Sequence, residues 1–394
     1  MNYKRFEKNL NLFAKIGYKQ GNGITRLGFS EEYFKSIELL EKYAKEKGFL
    51  TNKDKVGNLF ITYNPNNSDE FIMIGSHMDT VKSGGLYDGA LGVMAALEVL
   101  ETLKDEKENL NYGIIAAAFN SEESSNIGGT FGSRTACNRN DLDSKDLEEK
   151  IKEVGLTIDD LRESVFDFSK VIGFLELHIE QGGILEHKKL EIGVVDGIVG
   201  ITRYNVILKG ESNHAGTTPM SLRKDPVRKV STVLDELYKE ASKFDQPFVM
   251  TVGDIKVRPG MYNIIPNEVE IFIEVRDINQ NNIDEFFGNI RTFLQNNVDN
   301  YDFVKNVEKP SVHLDTNIIN NIEDACKELG FNYQIMSSGA GHDAKEISHI
   351  VPTGLIFIPS KDGISHSPKE YSSPEEIEKG LDLLYKVSSK LIGG

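Results

Sequence analysis

The stretch NYGIIAAAFN (111–120) contains an uninterrupted apolar run. Such a strand has no polar face to offer water, so other elements must cover both of its sides. EFIMIGSH (70–77), KVIGFLELHIEQG (170–182) and GLIFIP (354–359) read the same way, and GNLFITYN (57–64) reads as a further strand. Helical patterns alternate with these strands. SEEYFKSIELLEKYAKEKG (30–48) has a serine N-cap and a terminal glycine, and ALGVMAALEVLETLK (90–104) is apolar enough to be buried. A charged helix is expected from Lys145 to Ser164, another helix over 316–329, and a last one where Ser373 and Glu376 form a capping-box pattern. Strands and helices in alternation predict an α/β fold with helices packed on a mixed sheet.

The texture changes after Gly200. ITRYNVILKGES, FVMTVGDIKV and EVEIFIEVRD alternate apolar and polar residues, with helical patterns in DPVRKVSTVLDELYKEAS and IDEFFGNIRTFLQNNV. That order predicts a small antiparallel sheet with two helices on one face, a ferredoxin-like α+β unit. With 394 residues the chain exceeds what one core usually serves. The expected plan is a discontinuous α/β domain, 1–200 and 312–394, interrupted by an α+β insert at 201–311.

Several apolar strands end in residues that bind metals. In GSHMDTVKSGGLYDG (75–89), a strand ends at His77, with Asp79 two residues on and Asp88 after a glycine-rich turn. An imidazole ligand needs a partner on its other nitrogen, and Asp79 is placed for that work. The run IIAAAFN leads into Glu122 and Glu123, GFLELHI ends near His178, and His366 lies in the loop DGISHSPKE. Taken singly, each reads as a structural histidine or a solvated acid. Their gathering at the C-terminal edge of one sheet, where α/β folds bind ligands, points instead to a site. Imidazole and carboxylate without thiolate suit Zn, Mn or Co.

The formal net charge of -16 argues against nucleic acid or an anionic membrane as partner. The segment MNYKRFEKNLNLFAKIGY reads as an amphipathic helix, not a signal peptide, and no run reaches the roughly 20 apolar residues of a membrane span. Cys137 and Cys326 form no CxxC pattern and read as reduced thiols. A soluble cytoplasmic enzyme is the expectation.

GSHMDTV, YDGALGV, NSEES, LHIEQG, GESNHAGTTPM, MYNIIPNEVEIFIEVRD, GAGHDA and SHSPKE follow one another in the order found in one enzyme group. The chain resembles the binuclear metal-dependent amidohydrolases that include N-carbamoyl-L-amino-acid hydrolase, allantoate amidohydrolase and β-ureidopropionase. These are relatives of aminoacylases and zinc exopeptidases. The resemblance implies two divalent metal ions bridged by Asp88, one also held by His77 and His178, the other by Glu123 and His366. It implies Glu122 as general base, a cis peptide between Asp88 and Gly89, and an insert that forms a lid and a homodimer. His214 would stabilise the oxyanion in the neighbouring subunit's site. Arg276 would grip a substrate carboxylate, Asn263 and Arg203 would contact substrate, and Gln181 would meet the ureido end. The GAGHDA loop would offer backbone groups, with His342 and Asp343 as an orienting pair.

A histidine in LHIEQG, where peptidase relatives generally carry a carboxylate, favours a small ureido substrate over a peptide. An aminoacylase or dipeptidase on the same scaffold is the alternative, and a non-catalytic binding protein should have lost a ligand or Glu122. Ser124 to Ile127 depart from the group's usual glycine and arginine–phenylalanine, which leaves the nearby pocket wall open.

Overall fold

The structure, a computed structural model, describes residues 1–106, 110–123 and 127–393. Of the departing stretch, Ser124 to Asn126 lie outside the described residues; Ile127 is buried in a cluster with Val56, Phe131 and Leu147. The chain divides into two compact units, Met1–Asp196 with Leu314–Gly394, and Gly197–His313.

The longer strands are β1 (Leu50–Lys53), β2 (Leu59–Tyr63), β3 (Phe71–His77), β4 (Gly113–Phe119), β5 (Val171–Ile179), β6 (Ile192–Ile198), β7 (Gly200–Lys209), β8 (Val249–Arg258), β9 (Glu268–Asp277), β10 (Tyr301–Lys309), β11 (Tyr333–Ser338) and β12 (Thr353–Ile358). The longer helices are α1 (Tyr3–Ala14), α2 (Glu31–Glu46), α3 (Ala90–Glu106), α4 (Val227–Ala241), α5 (Gln280–Asn297), α6 (Thr316–Leu329) and α7 (Pro374–Gly393).

The first unit is built on one mixed sheet in the order β6–β12–β5–β3–β4–β2–β1, with β11 also paired to β6. Its central strands β12, β5, β3 and β4 run parallel, and β2, β1 and β6 are antiparallel to their neighbours. β4 is buried along its whole length, as its unbroken apolar run requires. Helix α3 is buried from Ala90 to Leu103. It rides directly on the sheet, because a Cβ at Gly92 would lie 2.5 Å from the Leu177 carbonyl oxygen and 2.7 Å from the Ser76 Cβ. That close approach sets Asp88, just ahead of α3, beside the ends of β3 and β5. The capping box at α7 is formed: Glu376 N donates to Ser373 Oγ and Ser373 N to Glu376 Oε2.

The second unit runs β7–α4–β8–β9–α5–β10, and its antiparallel sheet has the order β8–β9–β7–β10. That is the ferredoxin-like arrangement expected from the alternating strands. Val206, Leu208, Ile271 and Val275 meet Leu237, Phe286 and Ile290 in its core. Burial alternates strictly along β9, so Glu274 and Arg276 lie on the face away from that core.

Two expectations need correction. Lys145–Ser164 is not one helix: helices at Lys145–Glu153 and Ile158–Glu163 are separated by Gly155 at φ 79° and restarted by a capping box of Thr157 and Asp160. The Asp88–Gly89 peptide is trans; the cis bonds among the described residues are Gln246–Pro247 and Arg258–Pro259. The chain reverses here through Gly89 itself, at φ 65°, where a Cβ would fall 2.3 Å from His77 Cε1. Cys137 and Cys326 are free and buried. No described helix is long and apolar enough to cross a membrane.

Candidate metal centre

Residues from four places along the chain converge at the C-terminal ends of the parallel strands. His77 closes β3, His178 sits near the end of β5, Glu122 and Glu123 follow β4, and His366 lies in the loop after β12. Asp88 stands among them. Its Oδ1 is 3.5 Å from His77 Nε2 and 3.2 Å from His178 Nε2. Its Oδ2 is 3.2 Å from His366 Nε2, which is also 3.1 Å from Glu123 Oε1. Glu122 Oε2 lies 3.9 Å from His77 Nε2.

The ring tautomers decide what this geometry means. His77 Nδ1 is 3.0 Å from the Asp79 carbonyl oxygen, and His178 Nδ1 is 2.9 Å from that of Ile179. A carbonyl only accepts, so each Nδ1 carries the hydrogen and each neutral ring turns a bare Nε2 toward Asp88. The Gly89 amide donates to His178 Nε2 at 3.3 Å, which marks that nitrogen as an acceptor. Asp88 Oδ1 and Glu123 Oε1 are buried and have no hydrogen-bond donor among the described residues. At His77 and His178, lone pairs therefore face lone pairs across gaps of 3.5 and 3.2 Å. Only a cation or added protons relieve that, and buried acceptors left unmatched are costly.

The electrostatics carry the same demand. Burial opposes charge on His77 and His178, yet the surrounding carboxylates raise both. Burial would also raise Asp88, but His178, His366 and His77 together hold it well below the carboxylate range. The neighbouring carboxylates of Asp88 and Glu123 push half-exposed His366 up to about 10. Burial, with Glu123, Asp343 and Asp79 nearby, raises Glu122 well above its ordinary value despite His77.

Among the described residues the donors form four close groups: His77–Asp88–His178 and Asp88–Glu123–His366, which share Asp88, and beside them His77–Glu122–Glu123 and Glu176–His178–His342. All-nitrogen-and-oxygen donors of this kind fit a divalent metal, and the unmatched Asp88 and Glu123 oxygens are where one would bind.

Surrounding residues hold these donor groups in place. The Asp79 carboxylate is 3.7 Å from His77 Nδ1, so its main-chain oxygen, not its side chain, orients the ring. The carboxylate instead accepts the amides of Glu122 and Glu123, each at 3.1 Å, and so fixes the loop that carries both acids. Gln181 donates to Asp88 Oδ2 at 2.9 Å, while its own Oε1 is buried without a partner among the described residues. Ser121, Gln181 and His366 all take the left-handed backbone region, at φ 57°, 58° and 54°. Strain of about 1–3 kcal/mol per residue persists where the surroundings enforce it, and functional sites collect it.

Several supports were not read from the sequence. Glu370 accepts the amides of Tyr87 and Asp88, and the single Ser365 hydroxyl hydrogen lies within reach of both Glu370 Oε2, at 2.9 Å, and Asp88 Oδ2, at 3.1 Å. Both lie within SHSPKE, so the motif itself was the available signal. Glu176 accepts from Ser76 Oγ and from the Ala344 amide, which ties the GAGHDA loop to β3 and β5. His342 packs 4.6 Å from His178, ring to ring, and its Nε2 pairs with Ser338 Oγ rather than joining Asp343 in a simple pair.

His214, Asn263, Arg203 and Arg276 belong to the second unit and form separate groups within it. His214 Nδ1 accepts the amides of Gly216 and Thr217 at 3.1 and 3.2 Å, so its neutral ring carries a hydrogen on Nε2. The Ala215 amide donates to the Asn263 carbonyl oxygen, which ties the two loops together. Arg203 and Arg276 both contact Glu274.

Zn2+ at about one hundred times its Kd is expected to stabilise chelator-treated protein by about 2.7 kcal/mol, read as a rise in Tm. Asp88→Ala should remove most of that rise, since both donor groups lose their shared carboxylate. An equal rise in both proteins would place the ion elsewhere.

The chain is similar to known proteins over nearly its whole length. The model of Peptidase family M20/M25/M40 matches residues 73–390. The N-carbamoyl-L-amino acid amidohydrolase of Geobacillus stearothermophilus is 32% identical over 99% of both chains. The allantoate amidohydrolase of Bacillus subtilis is 33% identical over 95% of both. The crystal structure of a hydantoinase/carbamoylase family amidase from Burkholderia multivorans superposes with a TM-score of 0.89 at 27% identity, covering 100% of this chain and 98% of that one. The chain belongs to peptidase family M20/M25/M40.

Proposed function

We propose that this chain is a cytoplasmic, metal-dependent amidohydrolase that cleaves the ureido C–N bond of an N-carbamoyl-L-amino acid or of allantoate. The observation that carries the reading is Asp88, whose two oxygens meet imidazole nitrogens from three separate parts of the chain. In this reading two divalent ions, Zn, Mn or Co, are held by His77, Asp88 and His178 and by Asp88, Glu123 and His366. Bound there, they would polarise the ureido carbonyl and lower the pKa of water. The names of the two relatives support the ureido substrate class. So does His178 at the LHIEQG position.

The chain's own residues then divide the work. Glu122, set beside the cluster by Asp79, takes a proton from the attacking water and returns it to the departing nitrogen. Water adds at the ureido carbon, the bond to the terminal nitrogen breaks, and ammonia leaves. The carbamate that remains loses carbon dioxide to free the amine. Gln181 offers Oε1 to a ureido N–H while its Nε2 holds Asp88. His214 offers Nε2–H to the developing oxyanion, a donor aimed at charge that appears in the transition state. Arg276 takes the substrate carboxylate, and Asn263 and Arg203 contact the substrate.

The second unit, in this reading, is a lid that also makes a homodimer, so that His214 serves the neighbouring subunit. Edge strand β8 supports this: Val249, Ile255 and Val257 are 50%, 38% and 39% exposed, an apolar edge suited to a second copy. Sedimentation equilibrium should give twice the chain mass, and a monomer at micromolar concentration would contradict it.

Glu122→Gln is expected to keep the metal and lose roughly two to four orders of magnitude in turnover. Ammonia release from N-carbamoyl substrates, run against amine release from acylated ones and peptides, checks the reaction. Preference for acylated amino acids would favour the aminoacylase alternative, and near-normal turnover by Glu122→Gln would remove that residue from its role.

A further inference from the structure

On the sheet face opposite the second unit's core, one carboxylate holds two arginines. Glu274 on β9 pairs in register with Arg203 on β7, and Arg276 lies two residues along β9 on the same face. Glu274 Oε2 is 2.7 Å from Arg203 Nε, and Oε1 is 2.8 Å from Arg276 Nε. Each oxygen thus serves one guanidinium, and both arginines use the same nitrogen. Glu274 is 23% exposed, Arg276 30% and Arg203 52%, so the acid is the most buried member of the trio. Burial alone would raise Glu274, but Arg276 and Arg203 pull it below the ordinary carboxylate range, so it stays charged between them.

An ordinary cross-strand ion pair needs one partner of each sign and gains little at a surface. Here one carboxylate is shared by two guanidiniums, one on each oxygen. An arginine held through Nε also keeps its orientation fixed, which is what recognition of a planar carboxylate by parallel hydrogen bonds requires.

We infer that Glu274 is a positioning residue that fixes Arg276 and Arg203 as one seat for a single substrate carboxylate. The inference rests on the reading that Arg276 takes that carboxylate. Glu274 itself does not touch substrate. It sets the direction of the two guanidiniums.

The test compares one N-carbamoyl-L-amino acid with its C-terminal carboxamide on the wild type, Glu274→Gln and Glu274→Asp. Glu274→Gln is expected to raise KM for the acid about tenfold while kcat stays within about threefold, and to leave kcat/KM for the carboxamide unchanged. Glu274→Asp, which keeps the charge, should recover most of the loss. An equal loss on both compounds would show a general structural role and overturn the inference, as would an unchanged KM for the acid. A wild type that does not distinguish acid from carboxamide would instead defeat the reading of Arg276. That outcome differs from Glu274→Gln keeping the wild-type distinction, which defeats the role of Glu274 alone.

Discussion

Two imidazole nitrogens, fixed as acceptors by the carbonyls behind their rings, point at a carboxylate oxygen that receives no hydrogen bond. His77, His178 and Asp88 can sit this way only with positive charge among them, and His366 brings a third imidazole within 3.2 Å of the other oxygen of Asp88 and 3.1 Å of Glu123. Buried acids and imidazoles at such distances would otherwise repel one another or leave lone pairs unmatched, each at a cost of a few kcal/mol. The first unit is arranged to make that cluster possible. Parallel strands deliver their C-terminal ends to one edge, and α3, able to lie close because residue 92 is glycine, delivers Asp88 to the same edge.

The supports around the cluster share one trait: they use main-chain groups as much as side chains. Asp79 orients a ring through its carbonyl oxygen and a loop through its carboxylate. Glu370 collects two amides, and Glu176 joins two strands to the loop before Ile347. Left-handed backbone at Ser121, Gln181 and His366 places residues where an ordinary turn would not. Main-chain anchoring by Asp79 fixes the loop that carries the adjacent Glu122 and Glu123, as the division of tasks proposed for them requires.

Much of this was legible in the residues. Unbroken apolar runs located the central strands, and period-two alternation located the ferredoxin-like unit, because both patterns follow directly from which faces are covered. The clustered residues His77, Asp88, Glu123, His178 and His366 could be named because each follows or ends such a run or falls in a motif. Turn geometry was less legible. Asp79 was expected to orient His77 with its carboxylate, but the chain bends after the strand and presents the carbonyl instead. The Asp88–Gly89 turn is made by a positive φ at glycine rather than a cis bond. Glu370 and Glu176 escaped notice because an acid that accepts main-chain amides leaves no periodic trace. Gly155, at a positive φ, divides a charged segment whose composition alone suggested one helix.

The two units supply different chemistry. One holds acids and imidazoles around Asp88, and the other holds His214 with its Nε2 hydrogen and the arginines gathered on Glu274. Everything proposed for catalysis depends on Asp88 being shared between two cations. Anomalous diffraction at the zinc edge, from crystals grown with excess Zn2+, addresses that directly. Two peaks are expected, one among His77, Asp88 and His178 and one among Asp88, Glu123 and His366. Zinc-loaded crystals with a single peak away from Asp88, or with none beside it, would contradict the account.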